Sequence, residues 1–273
     1  CERFMYNFTI KRKNMAIART KCIICGNKGY FIKQGGHERM PDKLWNIYKC
    51  GGCRVEFCYP MPDKAQLNSF YKGYSDARAT KEVLIKTGQK NIKRLKRYGV
   101  GKASSLLDFG CGRGVFTQLG GEKWKKFDQY TCYKPELLQA GKYNCVTLWG
   151  VLEHVTDPVG VLKDINRYLR PAGYVVLTTV NTETGIPYQH KPPEHLLYWT
   201  EQALVVALKK AGFKMTACEP YVMAQKRDVY MNAVLRTVPK HLKRRIDYTA
   251  LPETIKAVPT NEVFVVGKKT VST

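Results

Sequence analysis

Two strand-like stretches rich in apolar residues lie in the middle third of the chain, at residues 144–150 (NCVTLWG) and 173–181 (GYVVLTTVN). Runs of that length with hardly a polar position are those of parallel strands buried on both faces. Between them, residues 159–169 (VGVLKDINRYL) return an apolar side chain every three or four positions, which predicts the crossover helix. Residues 200–213 (TEQALVVALKKAGF) predict another amphipathic helix, with Thr200 as its N-cap and Gly212 as its stop. Upstream, residues 80–98 place Val83, Leu84, Ile92 and Leu95 near one helical face and crowd lysine and arginine elsewhere. Residues 104–110 (SSLLDFG) predict the first strand of the sheet, 127–135 (FDQYTCYKP) the second and 262–269 (EVFVVGKK) the last. Strands alternating with helices predict an α/β fold with a doubly wound, mostly parallel sheet. Two stretches lack either period. Residues 59–76 read as a connector opened by prolines, whose Tyr71 and Tyr74 could reach over a site, and 223–259 read as a basic, loop-rich tail.

The first strand runs into a loop with glycine at every second position, Gly110, Gly112 and Gly114. Such a loop turns tightly at the carboxyl end of a strand and lets a ligand approach the main chain where a Cβ would obstruct it. Asp108 stands beside it as an acceptor for an ammonium group or for loop amides. Alone the spacing is weak evidence, because dinucleotide sites and plain turns share it.

Cys22 and Cys25 form one CxxC pair, and Cys50 and Cys53 form another after 24 intervening residues. Two tight knuckles can converge four thiolates on a tetrahedral zinc, and four thiolates leave no open position for catalysis. The pairs therefore predict a structural zinc ribbon, with Tyr48, Val55 and Phe57 in its strands. Cys58, Cys111, Cys132, Cys145 and Cys218 have no partner at ligand spacing and read as small apolar residues.

Composition narrows the class. No apolar run approaches the ~20 residues of a membrane helix. Residues 1–20 are basic and mixed, unlike a signal peptide, and read as a basic extension. Ten cysteines without a disulfide-like framework suit the cytoplasm or another reducing compartment. Lys plus Arg number 46 against 22 Asp plus Glu, a net charge of +24, of which +16 falls in residues 1–102. A second basic cluster spans residues 240–245. Charge of this size favours RNA or another polyanion as a partner.

The order LLDFGCGRG, YNCVTLWGVLEHVTDP, LRPAGYVVLTTVN, PPEHLLYWT and LKKAGF resembles the class I S-adenosylmethionine-dependent methyltransferases. The branch it is most similar to contains ubiquinone-type O-methyltransferases and zinc-ribbon sugar C-methyltransferases. The resemblance runs over residues 22–213 and implies a Rossmann-like methyltransferase sheet preceded by a small zinc ribbon. It divides the chain into the extension (1–20), the ribbon (21–60), a connector with a basic helix (61–102) and the methyltransferase-like domain (103–273). It implies that Asp108, Gly110, Cys111, Gly112, Gly114, Phe116, Leu148 and Trp149 bind S-adenosylmethionine.

Measured against the family, the chain departs in three places. Only 29 residues separate Gly114 from Asn144, too few for two further strand–helix units, so the family's third strand is expected to be missing. The acid that takes the ribose hydroxyls is expected at Lys134, with Glu136 or Asp128 as substitutes in a shifted register. Asn144 stands where the fourth strand usually begins with Asp.

Two acid–histidine pairs supply candidate proton acceptors, Glu153–His154 after the fourth strand and Glu194–His195 in the PPEH segment. The resemblance favours His195 as base with Glu194 and Tyr198 assisting, and His154 with Glu153 as the second candidate. The expected function is methyl transfer to a small polar acceptor such as a sugar, a sugar nucleotide or a related metabolite. The alternative is a degenerate methyltransferase fold that docks on RNA or a ribosome-like particle through its basic surfaces.

Overall fold

The computed structural model describes residues 20–72, 80–129, 133–186, 188–243 and 246–270. Tyr74, Cys132 and most of the basic extension lie outside the described residues.

The amino-terminal part is a meander of β1 (Thr20–Lys21), β2 (Lys28–His37), β3 (Met40–Cys50) and β4 (Glu56–Tyr59). The long β2–β3 hairpin forms its arm, and Cys50 pairs with Gly29 at the base of that arm. After β4 comes α1 (Lys64–Tyr71), where the sequence predicts a connector. Its start is a capping box: Asp63 accepts from Gln66 N–H at 2.8 Å, and the Gln66 side chain accepts from Asp63 N–H at 3.1 Å. This reciprocal pair satisfies two of the donors that a helix leaves open at its start. The basic helix α2 (Lys81–Lys96) has Thr80 as its N-cap.

The central sheet comprises β5 (Leu106–Phe109), β6 (Trp124–Phe127), β7 (Tyr143–Trp149), β8 (Leu169–Val180), β10 (Phe213–Lys226) and β11 (Thr254–Lys269), in the order β10-β11-β8-β7-β5-β6. Strands β6, β5, β7 and β8 are parallel, whereas β11 and β10 run antiparallel to close the sheet. Between β5 and β6 lies the short α3 (Val115–Gln118). After β7 comes α4 (Pro158–Tyr168), and after the two-residue β9 (Leu197–Tyr198) comes α5 (Glu201–Lys210). Thr200 caps α5 through Ala203 N–H at 3.1 Å, and Gly212 ends it with a φ of +80°, as the sequence predicts. Among the described residues no strand lies between β6 and β7; a single turn of 3₁₀ helix at Pro135–Leu137 stands there.

Two boundaries are corrected. The second strand is Trp124–Phe127, not residues 127–135, and it pairs with β5 from Leu106↔Trp124 to Phe109↔Phe127. Its lysines conceal it: Trp124 and Phe127 are buried while Lys125 is exposed, a pattern suited to a sheet edge. The tail of 223–259 is also more ordered than its composition suggests. β10 reaches Lys226 and β11 starts at Thr254, so a long antiparallel pair extends past the sheet, with α6 (Arg227–Thr237) and α7 (Lys240–Lys243) between its arms. No helix among the described residues is long and apolar enough to cross a membrane.

Candidate functional site

At the end of β5 the chain reverses on its glycines. Gly110, Gly112 and Gly114 have φ of +75°, +48° and +68°, the left-handed region that side chains with a Cβ avoid. A Cβ on Gly110 would lie 2.5 Å from Val151 Cγ2. The loop is clamped to β6: Gly110 N–H and Cys111 N–H donate to Phe127 O at 2.8 and 3.1 Å, and Gly112 N–H donates to Asp128 Oδ2 at 3.1 Å. Phe109 and Phe127 stack beneath it at 5.1 Å. Gly110→Ala is expected to combine a strained φ, roughly 1–2 kcal/mol, with a clash against Val151. It should abolish binding of any ligand on this loop; calorimetry on the variant, with its unfolding temperature as a control, checks this.

Asp128 therefore stands at the carboxyl end of β6, in hydrogen-bond contact with the loop. Lys134 is exposed several residues further on, before the 3₁₀ turn. The expectation that Lys134 occupies the ribose position is corrected: it rested on a second strand placed too late in the chain. Asn144 also loses its significance for a cofactor. It lies at the head of β7, where its Oδ1 accepts from Ser105 N–H and Oγ–H at 3.0 and 2.8 Å and ties β7 to the start of β5. That is the opposite end of the sheet from the glycine loop.

Asp108 is buried and accepts from Thr147 Oγ1 at 2.8 Å. Burial pushes its carboxyl up to about 7, against the pull of that hydrogen bond, and Asp128 adds to the rise. Cys111 is half-buried in the loop. Leu148 is fully enclosed in the core. Phe116 and Trp149 pack edge to face at 5.1 Å, and Trp149 also stacks on Phe264.

The second half of the site gathers where β7 and β8 end. His154 and His195 meet edge to face with ring centroids 4.8 Å apart. Tyr71, from the carboxyl end of α1, shares a 2.9 Å hydrogen bond with His154 Nδ1, and its hydroxyl also lies 3.4 Å from Glu194 O. Burial holds His154 down to about 4, so its ring is neutral near pH 7 and resists taking up a proton. Glu153 is buried, accepts from Thr179 Oγ1 at 2.8 Å, and is pushed up to about 8 by burial and by Glu262. It carries its proton at neutral pH. Glu194 is also buried, but it is paired: Lys191 Nζ lies 2.6 Å from Oε1, His37 Nε2 2.9 Å from Oε2, and His195 Nε2 4.0 Å from Oε1. Tyr198 is fully buried, its hydroxyl accepting from Lys191 N–H at 2.7 Å and donating to His195 O at 3.2 Å. With both capacities taken up, Tyr198 fixes the loop that carries His195. One ligand atom each from Glu153, His154 and His195 lies within 4.8 Å of the others, close enough to share a cation.

Cys22, Cys25, Cys50 and Cys53 converge within the same limit, and Ile24 N–H and Gly52 N–H donate to Cys22 Sγ and Cys50 Sγ at 3.4 and 3.3 Å. Amides aimed at sulfur in both knuckles, around four nearly buried thiols, fit a tetrahedral zinc. Cys58 and Cys145 are buried apart from them with their thiols raised by burial, Cys58 to about 12, which suits apolar packing.

Sequence comparison settles what this sheet belongs to. A methyltransferase domain model matches residues 80–217, just over half of the chain. The chain belongs to that methyltransferase family. Among curated proteins, a ubiquinone biosynthesis O-methyltransferase of Histophilus somni is 28% identical over 29% of this chain and 42% of its own length. One of the same name from Acinetobacter baylyi is 40% identical over 16% of this chain and 18% of its own. The chain thus spans less than half the length of these relatives. Among solved structures, the Burkholderia thailandensis 1,6-didemethyltoxoflavin-N1-methyltransferase superposes with a TM-score of 0.49 at 16% identity, over 83% of this chain and 96% of that one. An S-adenosylmethionine-dependent methyltransferase from Mesorhizobium loti gives 0.42 at 14%, over 64% and 96%. In this methyltransferase domain the family's third strand is missing among the described residues, as the sequence predicts, and a carboxylate, that of Asp128, follows the last residue of the second.

Proposed function

We propose that the chain transfers a methyl group from S-adenosylmethionine to a small polar acceptor, with a sugar, a sugar nucleotide or a related metabolite as the favoured class. The observation that carries this is the left-handed glycine loop clamped to Asp128 at the same carboxyl end of the parallel strands as the paired histidines. When bound, S-adenosylmethionine supplies a methyl group activated on a sulfonium. Asp128, through the carboxylate oxygen that does not take Gly112 N–H, would accept from ribose hydroxyls. The left-handed glycines would let the ligand approach the main chain with no Cβ in the way, and Asp108 would balance the ammonium of the amino-acid moiety. His195 would take the proton that the acceptor loses when its lone pair displaces the sulfide from the methyl carbon, with Glu194 balancing the imidazolium. The zinc is structural, on the four cysteines.

The RNA-docking alternative draws on the charge, on Lys134 and Asn144 standing for cofactor-binding acids, and on the shortened sheet. The position of Lys134 and Asn144 away from the glycine loop weakens it, while the shortened sheet remains. The charge of +24 remains, and a salt-dependent RNA affinity without cofactor binding would revive that reading. The direct test of the proposal is transfer of labelled methyl from S-adenosylmethionine to a panel of sugars, sugar nucleotides and phenols. Label in a sugar-type acceptor supports the proposal, and label in phenols alone overturns the acceptor class.

Asp108 gives the cofactor affinity a pH dependence. In the free protein its carboxyl titrates near 7, and an ammonium beside it favours the ionised form. Below that pH, binding must expel a proton, so affinity should fall roughly tenfold per pH unit, and above it should level off. Calorimetry between pH 5.5 and 8.5 reads the slope, and Asp108→Asn should flatten it.

A further inference from the structure

The zinc ribbon does more than precede the catalytic domain. β9, two residues after His195, is the fifth strand of the ribbon's own sheet, with Phe57↔Leu197 and Glu56↔Tyr198 as its pairs. Cys58 N–H donates to Leu196 O at 2.8 Å, and Thr200 Oγ1 donates to Cys53 O at 2.7 Å. Below this seam the ribbon's Glu56 accepts from His190 Nε2 at 2.7 Å and Tyr188 Oη at 3.0 Å, so the start of the PPEH segment is tied down as well. At the far end of the β2–β3 arm, Gly35 lies so close to the segment that a Cβ would come within 3.1 Å of His190 O and Pro192. The tip of the arm is clipped to α1: Arg39 Nη2 donates to Lys72 O at 2.9 Å, and the ring of His37 meets Phe70 edge-on at 4.8 Å.

We infer that the ribbon is a working part of the acceptor site, and that His37 at its tip is a positioning residue that holds Glu194 in register with His195. Glu194 is a buried carboxylate, so each oxygen must be matched by a donor. Lys191 serves Oε1 and His37 serves Oε2. Without His37, Oε2 loses a donor at 2.9 Å, and the carboxylate turns toward His195, now 4.0 Å from Oε1. The charge that faces the His195 ring is therefore positioned by a residue 158 positions earlier in the chain. This inference rests on the proposed methyltransferase site for its functional meaning, but its geometry is independent of which methyl donor or acceptor binds.

The test uses the full zinc-loaded chain as wild type, His37→Gln, His37→Phe and His37→Asn. Three properties are read: zinc content, affinity for S-adenosylhomocysteine, and the ring ¹⁵N resonances of His195 at one fixed pH. All four proteins should keep zinc and bind S-adenosylhomocysteine within about twofold of one another. His37→Phe should change the His195 ring signals, whereas His37→Gln, whose amide can still donate to Glu194, should restore them. Should His37→Phe lose its zinc, His37→Asn reads the same loss of contact, since its amide is too short to reach. Unchanged His195 signals in the folded Phe or Asn variant would overturn the inference, and so would a Gln variant that behaves like them. A wild type that fails to bind S-adenosylhomocysteine would sink the methyltransferase reading but leave the ring signals to decide the role of His37.

Discussion

Asp128→Ala is expected to weaken S-adenosylmethionine binding by about 100-fold, while Lys134→Ala leaves it within about twofold. Asp128 stands at the end of β6 and accepts from Gly112 N–H at 3.1 Å. Its removal deletes an anchor of the glycine loop and the only carboxylate at that strand end among the described residues. Hydrogen bonds to a charged group contribute ~1.5–3 kcal/mol each, so one or two of them account for a change of this size. Lys134 is exposed beyond the strand and makes no comparable claim on the loop. Calorimetry on the two variants checks both halves. A strong effect at Lys134 with none at Asp128 would mean that the register of β6 has been misread.

His195→Ala is expected to lower methyl transfer by ~10²–10⁴-fold, the usual contribution of a positioned general base, and to leave affinity for S-adenosylhomocysteine unchanged. The ring lies against His154 and 4.0 Å from the carboxylate of Glu194, on the acceptor side of the site rather than on the glycine loop. Glu153→Gln makes a useful contrast. Glu153 carries its proton at neutral pH, and its bond from Thr179 can be kept by the Gln carbonyl, so the rate should stay within a few-fold. If Glu153→Gln is as damaging as His195→Ala, Glu153 acts as a carboxylate, and the cation that Glu153, His154 and His195 could share becomes the better account. Chelation followed by readdition of Zn²⁺ or Mg²⁺ would then separate that site from the ribbon.

Signals that act over a few residues were readable in advance. The glycine loop, the two CxxC knuckles, and the Thr200 cap and Gly212 stop of α5 all appear in the structure where the sequence places them. The second strand was not readable, because its two lysines mask a pair of buried aromatics and the neighbouring FDQYTCY has the stronger strand composition. The Asp63–Gln66 capping box of α1 was a legible sign that prolines and tyrosines nearby obscured. Missing that helix left the hydrogen bond between Tyr71 and His154 without a scaffold. The partners of Glu194 are of another kind. His37 lies 157 residues from it and meets it only because β9 joins the ribbon's sheet, a pairing for which two residues of strand leave no pattern.

The central claim is that the glycine loop and Asp128 form a working S-adenosylmethionine site. Calorimetric titration of the zinc-loaded protein with S-adenosylmethionine and S-adenosylhomocysteine tests it most directly. One-to-one binding in the micromolar range, roughly −8 kcal/mol, is the expected result. No heat of binding with either ligand at millimolar concentration would contradict the account, and the basic surface would then be the feature to explain.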